Sequence, residues 1–160
     1  MLAVQADNGE IVCEKDLDLE VMAGLAGDAE QLYLVTRNAR LQAYSGENGE
    51  KLWEAALPNE AIARPGTNGR LVVAQTIDGK VLAFDASNGE RVWQYDGSVP
   101  VLSLRAAASP LVASDAVLVS LASGRVIALG PGSGQPAWAY RVGVPAGQTE
   151  VVKLGGGRAG

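Results

Sequence analysis

The chain has 160 residues, 48% of them hydrophobic, and a formal net charge of −5 from 13 Lys and Arg against 18 Asp and Glu. That length and apolar content support a folded domain with a sizeable core and exclude a disordered or fibrous chain. An acidic balance with no basic cluster argues against nucleic acid as a partner, and the absence of His removes the commonest general base and metal ligand at neutral pH.

In chain order, the first segment is "LAVQAD" followed by "NGEIVC", two short strands around an Asn-Gly turn. No basic start or apolar core precedes it, and "EIVC" lacks the small residues of a lipoprotein processing site, so neither a signal peptide nor a lipobox is read in this chain. Nor does any run reach the ~20 apolar residues of a transmembrane helix. The single Cys13 excludes an internal disulfide and a thiolate metal cluster. It stands where later segments carry Trp, beside Glu10 and Glu14, and reads as a buried structural thiol.

Next come "QLYLVT" and "NGEKLW", then "AIARPG", "RLVVAQT", "TIDGKV" and "DASNGERVWQYD". These pieces are short, rich in β-branched and aromatic residues, and bounded by Asp-Gly and Asn-Gly, which favour the positive φ of tight hairpins. The proline-bearing pieces "AIARPG" and "AAASPLV" suit edge strands. "AVLVSLA" and "SGQPAW" complete the series, and "TEVVKLGGGRAG" ends it. "GGG" at 155–157 has no strand–helix context for phosphate binding and reads as a flexible end.

Several landmarks keep one register. Gly9, Gly49, Gly89 and Gly134 each open a copy of the turn, with Ala3, Ala43, Ala83 and Ala128 six residues earlier. Ala39, Gly79 and Gly124 stand four residues before the last three of those alanines, and Trp53, Trp93 and Trp138 open the outermost strand. Four strands per ~40 residues is the repeat of a β-propeller blade. The expected fold is all-β: four-stranded antiparallel blades over residues 1–154, with units at about 1–20, 21–60, 61–100 and 101–145. A further unit is expected to start over 146–154, with a flexible Gly-rich end at 155–160. The tryptophans are expected to pack between blades, where the small alanines leave room.

The first unit begins at its third strand and about three complete blades follow, so the expected shape is an open arc of roughly half a ring. Open arcs expose apolar faces and strand edges, so this one is expected to be prone to associate, and two arcs closing into one ring is one way it could do so.

One connection breaks the repeat. Trp53 to Pro65 spans 12 residues and Trp93 to Pro110 spans 17, while Pro65 to Gly79 and Pro110 to Gly124 both span 14. The five additional residues therefore lie in "QYDGSVPVLSLRAAA", which places Val99, Val101, Leu102 and Leu104 beside Arg105. Such a loop is either a protein-facing hot spot or a loop whose leucines tuck beneath it, leaving Arg105 exposed.

"LAFDASNGERVW" at 82–93 resembles the repeat of pyrroloquinoline-quinone-type propellers. The stretch "SVPVLSLRAAASPLVASDAVLVSLASGRVIAL" at 98–129, followed by "GQPAWAYRVGVPAGQTE", resembles the BamB family in particular, lipoprotein subunits of the bacterial outer-membrane β-barrel assembly machinery. The resemblance implies an eight-bladed fold and a non-catalytic scaffold at the periplasmic face of the outer membrane. It also implies contact with the barrel protein BamA through a Leu-Ser-Leu-Arg segment, here Leu102, Leu104 and Arg105. A second family contact is an acidic pair, but Gly156 and Arg158 stand where acids are expected.

Two other classes compete. A quinoprotein dehydrogenase needs a quinone site and usually calcium, whose oxygen ligands must converge. Asp78, Asp85, Asp96 and Asp115 are spread over separate turns, paired cysteines are absent, and Ser109 and Ser120 have no candidate base. A ligand-sensing propeller would instead direct polar residues into the central channel. No catalysis, cofactor or metal is expected.

Overall fold

The computed structural model describes residues 2–18, 20–28, 30–61, 63–97, 108–121, 123–142 and 151–153, with only the backbone of Cys13 and of 151–153. Among them there is no helix. β1 (Leu2–Val4) and β2 (Ile11–Glu14) form a two-stranded sheet. β3 (Val21–Gly27), β4 (Gln31–Thr36), β5 (Arg40–Ser45) and β6 (Lys51–Ala56) form the first four-stranded antiparallel blade. The second contains β7 (Gly66–Thr67), β8 (Leu71–Gln75), β9 (Lys80–Asp85) and β10 (Arg91–Asp96). The third contains β11 (Leu111–Val112), β12 (Val117–Leu121), β13 (Arg125–Leu129) and β14 (Pro136–Arg141). Successive strands are hydrogen-bonded neighbours in every blade, and the described residues form an unclosed arc. β15 (Val151–Lys153), the described part of the unit expected from 146, pairs with β14 as a fifth strand instead of opening a new sheet. The exposed outer edge of β14 has free ladder groups that accept such a strand.

The recurring turn has the same hydrogen bonds four times. Gln5, Ser45, Asp85 and Gly130 each accept from the glycine four residues on, and each donates to the carbonyl five residues on. Asn8, Asn48 and Asn88 accept from the backbone N–H of Glu10, Glu50 and Glu90 at 2.9–3.0 Å, and Ser133 does the same for Gln135 at 3.3 Å. Side-chain oxygens that satisfy the turn's own backbone explain why Asn or Ser precedes the glycine.

Beyond the turn, Ala3, Ala43, Ala83 and Ala128 pair directly with Cys13, Trp53, Trp93 and Trp138. At each of these pairs the register shifts by one residue, leaving Val12, Leu52, Val92 or Ala137 without an opposite number. This is a β-bulge repeated at one place in all four units.

Blades stack through two apolar layers. Tyr33, Val35, Leu41 and Trp53 meet Val72, Ala74, Leu82 and Phe84 in the first. Val73, Val81, Ala83 and Trp93 meet Val117, Val119, Ile127 and Leu129 in the second. Alternate residues of β8 and β9 thus serve opposite layers, so the middle blade is buried on both faces. That accounts for the continuous apolar runs "LVVA" and "VLAF", where a half-exposed strand would alternate.

The tighter turns differ in one respect. Gly79 and Gly124 adopt φ of 82° and 75°, and Ala39, at the equivalent place, adopts φ of 54°. All three donate to the carbonyl three residues back. A left-handed Ala is sterically unfavourable by ~1–2 kcal/mol, partly offset by the greater freedom glycine has when unfolded. Ala39→Gly should therefore raise stability by about 1 kcal/mol, measured as a higher urea midpoint at unchanged slope; a lower midpoint would contradict this account.

Candidate functional site

The strand order places two kinds of connection on each edge of the arc. One rim carries the β4–β5, β8–β9 and β12–β13 turns together with the links from one blade to the next. The opposite rim carries the repeated Asn-Gly or Ser-Gly turns and the β3–β4, β7–β8 and β11–β12 turns. β10 ends and β11 begins toward the first rim, and residues 98–107 between them lie outside the described residues. Val101, Leu102, Leu104 and Arg105 lie outside the described residues, as do Val99, Gly156 and Arg158.

The described flanks locate that connection. Gly97 N–H donates to Gly79 O at 3.2 Å, and the chain resumes where Ala108 N–H donates to Ser120 Oγ at 3.1 Å. In the two earlier blades the incoming link crosses the β-turn of its own blade. Arg37 N–H donates to Glu20 O at 2.9 Å, and Ile77 N–H donates to Glu60 O at 2.9 Å. Glu20 and Glu60 stand sixteen residues before Thr36 and Thr76, which begin those turns; sixteen before Leu121 is Arg105. By sequence offset, a base stands there in the third unit where the two earlier units have an acid.

The described part of this rim is charged and locally paired. Arg37 and Glu20 meet at 2.9 Å, both exposed, and the hydrogen bond that Arg37 donates to the Glu20 carboxylate raises the guanidinium further above its usual range. Lys80 meets Asp78 at 2.8 Å. Burial acts to raise the Asp78 carboxyl, but hydrogen bonds from Lys80 and Thr76 outweigh it and hold the group below the usual carboxylate range. Solvent-screened pairs of this kind add little to stability.

At the inner edge, β3, β7 and β11 line the channel side of the arc. Arg64, Pro65, Gly66, Ser109, Pro110 and Leu111 border a cleft of about 190 Å³ there. A Cβ at Gly66 would run into the Pro110 carbonyl, so the inner strands are at contact distance. This cleft is smaller than the ~300–1,000 Å³ of ordinary ligand pockets. Among the described residues no three His, Cys, Asp or Glu side chains converge to hold a metal.

The repeat residues occupy the blade interfaces. Trp53 and Trp93 are 8% and 7% exposed, and Trp138 is 38% exposed. Trp53 Nε1 donates to Ala86 O at 2.8 Å and Trp93 Nε1 donates to Pro131 O at 2.7 Å, each acceptor lying in the following blade. The acceptors stand three residues before Gly89 and Gly134. The indoles lie directly over those glycines, where an added Cβ would collide with the rings. Gly49, Gly89 and Gly134 have φ of 68°, 74° and 67°. Gly89 and Gly134 thus make the turn and seat the preceding blade's tryptophan. Sequence reasoning finds only the first role; the signal for the second is that Trp and Gly recur in the same units.

Tyr33 packs its ring 5.9 Å from that of Trp53. Burial, then the nearby Asp28 carboxylate, push its phenol up to about 12. Tyr44 Oη donates to Gln42 Oε1 at 2.7 Å, and Gln42 Nε2 donates to Glu54 Oε2 at 2.6 Å. This chain of partners satisfies the buried amide of Gln42, and its hydrogen bond lowers the Glu54 carboxyl.

Four-stranded antiparallel blades, joined in series by an indole seated on the next blade's glycine turn, define a β-propeller in partial form. The family described as outer membrane protein assembly factor BamB matches residues 2–156, and the chain belongs to it. BamB from Moraxella catarrhalis is 27% identical and superposes with a TM-score of 0.81, over 92% of this chain and 50% of that one. This chain therefore spans half the length of that structure. The computationally designed Ika8 protein, 13% identical, matches with a TM-score of 0.70 over 94% of this chain and 51% of its own. The quinohemoprotein alcohol dehydrogenase from Comamonas testosteroni, 16% identical, matches with a TM-score of 0.60 over 82% of this chain and 23% of its own. At those identities the last two show the fold alone. No curated protein sequence matches the chain.

Proposed function

We propose that the chain is a non-catalytic, protein-binding part of an outer-membrane barrel-assembly scaffold, working at the periplasmic face of that membrane. Its site is the extended rim connection, with Val101, Leu102 and Leu104 as apolar anchors and Arg105 pairing an acid or carbonyl of a BamA-like protein. Membership of the BamB family supports the class of function. The observation that carries the site is the break in the repeat: one connection is five residues longer than its counterpart, and its sequence holds Arg105 sixteen residues before the next β-turn, an offset at which the earlier blades have Glu20 and Glu60. A stack of otherwise equivalent blades would gain nothing structural from that reversal, whereas a partner with an acidic patch would.

The test exploits the register. Arg105→Glu restores the residue that the other two blades carry, so the fold should tolerate it. In a pull-down with the periplasmic part of a BamA-like protein, Arg105→Glu combined with Leu104→Ala should reduce capture by at least about 30-fold, with unchanged far-UV circular dichroism. Capture at the wild-type level would discard the assignment.

A further inference from the structure

The cleft between the inner strands has an uneven lining. Of the residues that border it, Arg64 alone is charged, and no Asp or Glu stands among them. Arg37 and Arg40 on the outer surfaces each meet a glutamate, whereas Arg64 is exposed and has no hydrogen bond or ion pair among the described residues. Ser109, half-buried, likewise has a hydroxyl without a partner among them. The two are counterparts in consecutive blades: each stands directly before a proline, Pro65 or Pro110, at one offset from Gly79 or Gly124. A proline disfavours helical backbone in the residue before it, so both positions favour extended backbone. Gly24, at the same offset from Ala39, adds no side chain. Gly66 lets β7 approach β11, since a Cβ there would strike the Pro110 carbonyl, and this contact closes the floor of the cleft. Leu111, 61% exposed, borders the same space and offers an apolar wall.

We propose that this cleft binds a small carboxylate bearing a short branched aliphatic group, with the Arg64 guanidinium and the Ser109 hydroxyl donating to the carboxylate and the aliphatic group lying against Leu111. A guanidinium presents its N–H donors in a planar fork that matches the two oxygens of a carboxylate. With no acid in the lining, an anion meets no like charge there and a cation gains no partner. The volume of about 190 Å³ limits the ligand to a few carbons. The same chemistry is carried by a free aliphatic acid and by the C-terminal residue of an extended peptide. Every lining residue lies on or beside the inner strands of the three blades, so the site is separate from the rim connection and does not rest on the proposed function.

Titration with 4-methylpentanoate, followed in proton–nitrogen NMR correlation spectra, tests it. Signals of Arg64 and Ser109 should shift saturably, with a Kd of about 1 mM or tighter. The amide 4-methylpentanamide keeps the shape without the charge, and acetate keeps the charge without the tail; each should bind at least about 10-fold more weakly. Arg64→Gln should weaken 4-methylpentanoate by at least about 10-fold, and Leu111→Ser should weaken it while leaving acetate unchanged. Both side chains are exposed, so both variants should keep the wild-type far-UV circular dichroism. A tripeptide with an acetylated N-terminus and a C-terminal leucine separates the two sources: tighter binding than 4-methylpentanoate assigns the carboxylate to a chain end, weaker binding to a free acid, and either result supports the site. Capture of a BamA-like protein should be unaffected by Arg64→Gln, so the cleft and the rim connection fail independently. Shifts that never saturate, an amide that binds as well as the acid, or an Arg64→Gln variant indistinguishable from wild type would each overturn the proposal.

Discussion

Trp53→Ala should destabilise the chain by about 3–5 kcal/mol, the ordinary cost of deleting a large buried aromatic ring. Three contacts are lost together. The ring fills the layer between the first and second blades, stacks beside Tyr33, and donates its N–H to Ala86 O across the interface. Trp53→Phe keeps most of the apolar volume but leaves the Ala86 carbonyl without its donor, so it should cost about 1–3 kcal/mol. Chemical denaturation with both variants separates the packing contribution from the hydrogen bond. Equal losses for the two would mean that the ring's volume contributes little and that this view of the joint is wrong.

The second large effect is expected at the seat. Gly89→Ala combines two penalties: a side chain at φ of 74°, and a methyl group driven into the Trp53 ring. Left-handed backbone costs ~1–2 kcal/mol and overpacking ~1–3 kcal/mol, for a total on the order of 3 kcal/mol. Gly69→Ala is the control, since Gly69 has φ of 84° but only an ordinary contact, 3.6 Å from Asp28 Oδ2; it should show the backbone penalty alone. Adding Gly89→Ala to Trp53→Ala should cost less than Gly89→Ala by itself, with a coupling of about 1–3 kcal/mol. Strict additivity would show that Gly89 matters only to its own turn.

These residues also mark where sequence reasoning stops. The blade architecture was legible because its signals are local: an Asn-Gly or Asp-Gly pair states a hairpin within a few positions, and copies of it fix the period. What Gly89 does for Trp53 was not legible, because that contact joins residues on different sheets. Ala39 illustrates a third case, a position whose two counterparts are glycine but whose own letter carries no sign of left-handed backbone. β15 was legible as a strand-forming run, but its pairing with β14 depends on an edge that no local pattern describes. For the rim connection the sequence supplied an anomaly of length, whereas the nature of its partner came from family resemblance. No chemistry within "VLSLR" names an outer-membrane protein.

The bulge opposite each small alanine has a wider consequence. It bends the outer strand at one fixed rung in every unit, so the wedge between neighbours is set inside the hydrogen-bond ladder. The bulged rungs lie away from the links between blades. The longer connection between the second and third units therefore leaves the bulge of the third unit in its usual place. Shape and recognition are written in separate parts of the same forty-residue unit, and each can be edited without rewriting the other.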